Sequence, residues 1–444
     1  MKQTHSLKRQ FFSYIVPSVA AQWIYALYTM VDGMFVAQGV SETALAAVNL
    51  SFPFIALLFS ISLLFAAGAS TIIGILLGRK QAQRACEVFS QNIVTQFFIA
   101  ALIMAIVLPN LRTFGRILGA QDEQTLRYVV EYLTWIVPFS MAFLLSYSFE
   151  ILLKTDGFPK KATCIVLVGV VENCILDYLL VIVLHKGVAG AAFATSISQA
   201  SVIILYLLHF LSGKGVLHFR KFRFRFSVFS RVIRNGVASG ITEFSTGAVT
   251  YVFNHAISAF IGAYALVSYT IVSYVSNLVV LSATGVAQGA QPLISIHYGK
   301  KDTGSCEKLL RYSVRTSVVM CLCAFALCFA AAEPIVGLYT DDNVLRQYSV
   351  QVFRIYILPF FLLGFNISIS GYFTAIEKPV PALLISIGRS FVLLVASLAL
   401  LLVLLCGSGI WWAPALSEVV CFVLTAILFW RYEKGMSQNI RLCQ

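Results

Sequence analysis

Apolar residues run in blocks of twenty or more along the chain, separated by short segments that collect Lys, Arg, Gly, Asp and Pro. A block of that length crosses a hydrocarbon core of roughly 30 Å as a helix. The blocks lack the strict two-residue alternation of a membrane β-barrel. Twelve are delimited, at 11–38, 44–77, 88–109, 127–152, 162–184, 188–212, 231–261, 264–297, 309–331, 347–376, 380–405 and 409–432. The predicted fold class is an all-α polytopic membrane protein. Several blocks exceed the minimum for one crossing, so tilts or kinks are expected, with Pro53, Pro138, Pro292 and Pro359 as candidate kink points. The first block follows the basic start MKQTHSLKRQ and is longer than the apolar core of a signal peptide, so it reads as a retained first span.

The pattern also repeats. Gly68-Ala69, Gly78 and Pro138 recur 221 residues later as Gly289-Ala290, Gly299 and Pro359. GRKQAQRACE at 78 resembles GKKDTGSCE at 299, WIVPF at 135 resembles YILPF at 356, and Pro159 and Ala162 recur as Pro379 and Ala382. A near-constant offset across many weak matches indicates duplication. Six spans return the chain to the side it started from, so the halves are parallel repeats, an architecture of transporters that place their substrate site between the halves. The expected organisation is an N-terminal six-helix lobe over 1–212, a basic connection over 213–230 and a C-terminal six-helix lobe over 231–444.

Composition supports this picture. The 444 residues have a mean hydropathy of +0.85 and only 11% are charged, against about 25% in soluble domains. The net charge of +13 raises the question of nucleic acid, most sharply at HFRKFRFRF, residues 218–226. Loop distribution answers it. With the N-terminus inside, the inner segments hold Lys2, Lys8 and Arg9; Arg79, Lys80 and Arg84; Lys154, Lys160 and Lys161; the 214–231 cluster; Lys300, Lys301, Lys308 and Arg311; Lys378; and Arg431, Lys434 and Arg441. The outer segments hold only Arg112, Arg116, Lys186 and Arg346. That asymmetry is the positive-inside rule. It predicts a multi-pass protein of the plasma (inner) membrane with both termini cytoplasmic, in contact with lipid rather than nucleic acid. The ten cysteines form no CxxC pair; most lie in apolar blocks, and Cys86 and Cys306 fall in short basic loops. Nothing in their spacing argues for disulfides or zinc.

Charged groups at mid-membrane cost about 2.5–3.5 kcal/mol by insertion scales and are expected to face a cavity or a partner. Asp32, Asp177 and Glu243 are the clearest cases. In the first span Gln22, Tyr25, Thr29 and Asp32 form a polar stripe at helical spacing; in the fifth, Asn173 and Asp177 stand at i, i+4; in the sixth, Thr195, Ser198 and Gln199 cluster. Counted at 1.5 Å per residue, Asp32, Asp177 and Thr195 all lie on the order of 10 Å below the outer surface. Two carboxylates, an amide oxygen and a hydroxyl at one level suit Na⁺ or a proton, since neighbouring carboxylates in low dielectric do not both ionise cheaply. At the repeat offset Asp177 meets Ser397, Asn173 meets Leu393 and Thr195 meets Ala415, so this set belongs to the first half alone. The seventh span has its own stripe, Glu243, Thr246, Thr250 and Asn254. Glu243 has two readings, contact with a cationic substrate or an ion pair with a buried arginine such as Arg354 or Arg389. Glu172 points about 100° away from Asn173 and is left without a role. Tyr25, Tyr28, Tyr147 and Tyr251 are aromatic faces that, beside acids, suit bulky organic cations. No HExxH or GxSxG motif is present and the six His are scattered, so an intramembrane enzyme is not indicated.

These residues sit in segments that resemble the MATE (multidrug and toxic compound extrusion) family, in its bacterial drug-efflux branch. The run IVPSVAAQWIYALYTMVDGMFVAQGVSETALAAVNLSFP, from residue 15, resembles the family's first two helices. VENCILDYLLVIVLHKGVAGAAFATSISQ from 171, GVASGITEFSTG from 236 and GVAQGAQPLISIHYGKKD from 285 resemble its later signatures. The resemblance implies two six-helix lobes in a V that open alternately to either side. It implies export of organic, often cationic, compounds against inward Na⁺ or H⁺, by a monomer without cofactors. It also implies that Asp32 is the family's first-helix acid and that Asn173, Asp177 and Thr195 occupy the cation-site positions, with Na⁺ a possible occupant. Gln22, Tyr25, Tyr28, Tyr147, Gln199, Glu243, Thr246 and Asn254 are then candidates for the substrate cavity. Glu172 and Asn254 depart from the family pattern. The alternative reading is a lipid-linked precursor flippase or metabolite exporter of the same superfamily; a cavity dominated by Arg and Lys would favour the flippase.

Overall fold

The structure, a computed structural model, describes residues 6–262, 264–337, 339 and 342–442; Lys2 and both chain ends lie outside these described residues. The first half comprises α1 (Leu7–Gly39), α2 (Glu42–Gly78), α3 (Ala82–Val107), the short α4 (Leu111–Ile117), α5 (Glu123–Ile136), α6 (Ser140–Thr155), α7 (Pro159–Asp177) and α8 (Gly187–Leu211). The second half repeats the series: α9 (Phe226–Phe260), α10 (Ala265–Gly299), α11 (Thr303–Ala330), the short α12 (Ala332–Gly337), α13 (Asn343–Tyr356), α14 (Phe360–Ala375), α15 (Pro379–Ile387), α16 (Leu393–Leu405) and α17 (Gly409–Leu442).

Eight helical stretches among the described residues are long and apolar enough to cross a membrane, and a ninth is the α13–α14 pair, bent by 41°. One of the eight, Pro379–Lys434, folds back at the turn Cys406–Ser408 and makes two crossings. α1 and α9 are 33 and 35 residues long; their polar residues keep them below the apolarity of the others. Together these give the twelve crossings expected. The sequence pattern had no signal for α4 and α12, which are too short to show a helical period.

Proline acts in two ways. Pro138 and Pro359, without an amide hydrogen to give, break one crossing in each half into α5–α6 and α13–α14. Pro53 and Pro292 instead sit inside the continuous helices α2 and α10. Each half also carries a π turn, at Tyr178–Val183 after α7 and at Gly388–Val392 after α15. The connection between halves is shorter than expected, because α9 already starts at Phe226. Cys86 and Cys306 prove to be buried inside α3 and α11 rather than in loops, their thiols directed at the carbonyls of Val216 and Ile294.

The apolar cores differ between the two ends of the molecule. At the end away from the 213–225 connection, one core (Phe54, Leu126, Leu133, Phe143, Val188) draws only on the first half. Its counterpart (Phe253, Tyr269, Phe353, Trp411) draws only on the second. At the basic end the halves share a core, in which Phe11, Ile15 and Val19 of α1 pack with Val286, Leu293 and Phe373. There the helices approach to backbone contact. A Cβ on Gly68 would strike the Val232 carbonyl, one on Gly236 the Leu64 carbonyl, and one on Gly78 the Ile296 carbonyl; only glycine fits such approaches. Hydrogen bonds cross the same seam: Ser60 Oγ donates to the Gly240 carbonyl at 2.7 Å, and Gln291 Nε2 to the Ala67 carbonyl at 2.8 Å. At the far end Gly33 of α1 and Gly247 of α9 face open space. The halves are joined at the basic end and parted at the other.

Candidate functional site

The polar residues singled out on α1, α7 and α8 converge. Asn173 Nδ2 lies 3.4 Å from Thr195 Oγ1. The Asp32 and Asp177 carboxyls face one another within interaction range, and the Tyr28 hydroxyl stands beside Thr195. Asp177 closes α7 immediately before the π turn, whose extra residue re-aims the helix end. Asp177 is wholly buried and Asn173 and Thr195 nearly so. Among the described residues, Asp32 Oδ1, Asn173 Oδ1 and both Asp177 carboxyl oxygens are buried acceptors with no hydrogen-bond partner. Buried polar groups normally find partners, and leaving one unpaired costs several kcal/mol. Four orphaned oxygens on three neighbouring side chains thus form a cage of acceptors that a cation or protons would satisfy. No group of three His, Cys, Asp or Glu side chains arranged for a metal occurs among the described residues; this donor set is one of hard oxygens, including an amide and a hydroxyl.

Beside the cage opens a recess lined by Tyr25, Tyr28, Gly169, Asn173, Ser198 and Gln199. Five of the cavity candidates, Gln22, Tyr25, Tyr28, Tyr147 and Gln199, gather around it or just below. Tyr25 and Tyr147 rings meet edge to face at 6.0 Å. Gln22 Nε2 donates to Gln288 Oε1 at 2.9 Å, and Gln288 Nε2 donates to the Tyr147 hydroxyl at 3.1 Å. Gln199 Oε1 accepts from Ser146 Oγ at 2.6 Å. Glu243 lies within electrostatic range of Tyr147. Neither arginine considered as its partner is available: Arg389 pairs with Glu418 at 3.2 Å, and Arg354 sits over the Phe329 ring at 5.2 Å. Thr246 and Asn254 are exposed on α9, at helical spacing from Glu243 on the same face. Glu172 has a plain structural account, as Ser201 Oγ donates to its carboxylate at 2.8 Å and ties α7 to α8.

With the geometry in hand, relatives are informative. The MatE family model matches residues 17–179 and again 238–401. The chain belongs to the MatE family. The MATE relatives include the multidrug export protein MepA of Staphylococcus aureus (strain bovine RF122 / ET3-1), 23% identical over 416 residues, which cover 93% of this chain and 91% of that protein. MepA of Staphylococcus haemolyticus (strain JCSC1435) is 23% identical over 437 residues, 97% and 95% of the two chains. A solved outward-facing multidrug resistance MATE transporter of the MOP superfamily superposes with a TM-score of 0.91 at 19% identity, covering 98% of this chain and 97% of that one. A MOP superfamily transporter from Pyrococcus furiosus Vc1 (DSM3638), described as having a binding pocket of reverse polarity, superposes with a TM-score of 0.88 at 19% identity, over 97% and 96%. The fold is therefore that of MATE transporters, and the chain is a membrane transporter rather than an enzyme.

Several MATE-site features were not legible in advance. Lys154, counted among the loop cations, is 1% exposed and pairs with the fully buried Glu150 at 2.6 Å, while the Tyr25 hydroxyl donates to the same carboxylate at 3.1 Å. The fourth apolar block stops at 152 on the inner side, whereas α6 runs on to Thr155 and takes Lys154 with it. Tyr132 of α5, 3% exposed, stands within range of both Asp32 and Asp177; a lone tyrosine in an apolar block gives no signal. Gln288 bridges α1, α6 and α10 through Gln22 and Tyr147, and Glu418 joins Arg389 and Asn366; in both cases the partners are remote in sequence and no local pattern marks them.

Proposed function

We propose that this MATE transporter exports small organic cations in exchange for inward Na⁺ or H⁺, with the coupling ion taken up at Asp32, Asn173, Asp177 and Thr195. The observation that carries the reading is the set of four buried, unpartnered oxygens at the junction of α1, α7 and α8. In this reading the basic end is cytoplasmic by the positive-inside rule, both termini are inside the plasma membrane, and the conformation described is open to the outside. The substrate rests between the halves against Tyr25, Tyr147 and the free carboxylate of Glu243. Coupling-ion binding draws α1 toward α7 and α8 and reshapes the recess, so the substrate leaves outward. The halves then part at the basic end and release the ion inside. An ion drives such a cycle only through its different affinity for the two states. One chain supplies every group involved, so a monomer suffices.

The drug-export names of the two MepA relatives support an organic substrate. The charge in the cleft argues against a flippase-like cavity, since Lys154 is neutralised by Glu150 and, among the described residues, Arg389 and Arg354 are engaged elsewhere and leave Glu243 without either. The test is efflux of a cationic dye from proteoliposomes, with Na⁺ and pH gradients imposed separately. One gradient is expected to drive efflux in the native protein and to fail in Asp32→Asn and Asp177→Asn. Undiminished gradient-driven efflux in both variants would overturn the proposal.

A further inference from the structure

A polar cluster stands apart from the cleft, at the basic end of the first half, where α6 turns into α7 and the 213–225 connection leaves α8. Asp156 of that turn is buried, and its two oxygens have separate partners. Oδ1 accepts from the backbone amides of Val216 and Leu217 at 2.7 and 2.9 Å. Oδ2 meets His209 Nε2 of α8 at 3.1 Å. The other ring nitrogen, His209 Nδ1, lies 3.0 Å from Lys161 Nζ in the first turn of α7. An ammonium has only N–H groups to give, so Nδ1 accepts from it and the imidazole proton sits on Nε2, facing Asp156. His209 is 1% exposed, with the Phe158 ring edge-on at 4.7 Å; Lys161 is half-buried and Lys160 beside it exposed. Carboxylate, imidazole and amine in this order are the parts of a nucleophile with an oriented base. The other titratable groups in range are Tyr14 of α1 and Cys86 of α3, both near Asp156, and Lys214 of the connection, near Lys161. The positive charges of Lys160 and Lys214 favour loss of a proton from Lys161 and attract an anionic reagent.

We infer that Lys161 is an acylation site, with His209 as its base, Asp156 positioning the imidazole, and a small acyl phosphate as the acyl donor drawn in by Lys160 and Lys214. Only the neutral amine attacks a carbonyl, and an ordinary lysine at neutral pH holds fewer than about one in a thousand of its molecules in that form. Here Lys161 gives its first proton to His209 Nδ1, and the imidazolium that forms is paired with Asp156. The amine then attacks the acyl carbon. The C–N bond forms, the C–O bond to phosphate breaks, and phosphate leaves with the electron pair and takes up the second proton from the nitrogen. The imidazolium returns its proton to water. The amide product keeps one N–H for His209 Nδ1, so the hold of Asp156 on Val216 and Leu217 survives, and the basic end loses one positive charge.

The experiment uses the full chain in phosphatidylcholine nanodiscs with acetyl phosphate as the probe, and follows acetylation of each lysine over time by peptide mass spectrometry. Lys161 is expected to react about tenfold faster than Lys160, although Lys160 is the more exposed. Its rate is expected to level off at a lower pH than that of Lys160. His209→Gln keeps a donor for Asp156 and an acceptor for Lys161 but takes up no proton. It should bring both the rate and the pH profile of Lys161 to those of Lys160, which a merely structural His209 would not do. Lys161 reacting no faster than Lys160 in the native protein would overturn the inference and needs no variant to fold. An unchanged Lys161 rate in His209→Gln would overturn it as well. None of these readouts depends on transport, so they stand apart from the coupling reading.

Discussion

The α7–α8 region of the first half and its repeat, α15–α17, solve one problem in opposite ways. Both bury charge next to a π turn: Asp177 precedes one, and Arg389 lies within the other. In the second half the charges satisfy each other, Arg389 Nη1 with Glu418 at 3.2 Å and Asn366 Nδ2 with the same carboxylate at 2.7 Å. Their first-half counterparts at the repeat offset are Gly169 and Ser198, which line the open recess. Beside that recess the carboxyls of Asp32 and Asp177 are left unpaired instead. At this repeated place the duplicated scaffold thus keeps an ion pair in one half and a vacancy in the other. The α15–α17 site, whose charges satisfy each other, has no need of a ligand; the site of α1, α7 and α8 is incomplete without one.

This contrast can be broken by experiment. The largest effect is expected from Asp177→Asn, which should lower gradient-driven efflux by about 100-fold or more, equivalent to ~2.7 kcal/mol, while its thermal unfolding temperature holds or rises because a buried carboxyl crowded against Asp32 has gone. A marked drop in melting temperature would mean that Asp177 serves packing. In the second half the stability effect reverses. Arg389→Leu strands Glu418 and should cost about 3–5 kcal/mol, read by thermal unfolding in detergent; Arg389→Leu with Glu418→Leu should restore much of it. If Na⁺ is the coupling ion, concentrations near 100 times its Kd should stabilise the native protein by about 2.7 kcal/mol and leave Asp177→Asn unmoved; a flat Na⁺ titration with a pH-dependent one would assign the proton. The smallest change is Glu172→Gln, which keeps the bond from Ser201 and should alter stability by no more than about 1 kcal/mol, with efflux unchanged. Loss of efflux there would move Glu172 into the site.

What the sequence disclosed follows from what a bilayer penalises. Helical crossings, their number and the repeat are visible because every apolar block must be long and every loop polar. Asp32, Asn173, Asp177 and Thr195 stand out because polar groups on one helical face at one depth are expensive and therefore rare. Lys154 escaped because it lies at the edge of a block, where loop and buried helix end look alike. Arg389 with Glu418, and Gln288 with Gln22 and Tyr147, escaped because each is a meeting of segments far apart in the chain, which no local period reports. Glu243 could be placed on a stripe but not freed of an arginine until the arginines were located.

The glycine seam has a mechanical consequence. Where Gly68 and Gly236 bring α2 and α9 to backbone contact, no side chain stands between the two backbones. Around that point the joint is held by apolar packing, Phe65 against Phe229 and Phe11, Ile15 and Val19 against Val286, Leu293 and Phe373, and by the hydrogen bonds of Ser60, Thr71 and Gln291, each worth about 1 kcal/mol. Such a joint is a clasp with a fixed register: the glycines let the backbones nest at one place, and a Cβ on either would prop it ajar.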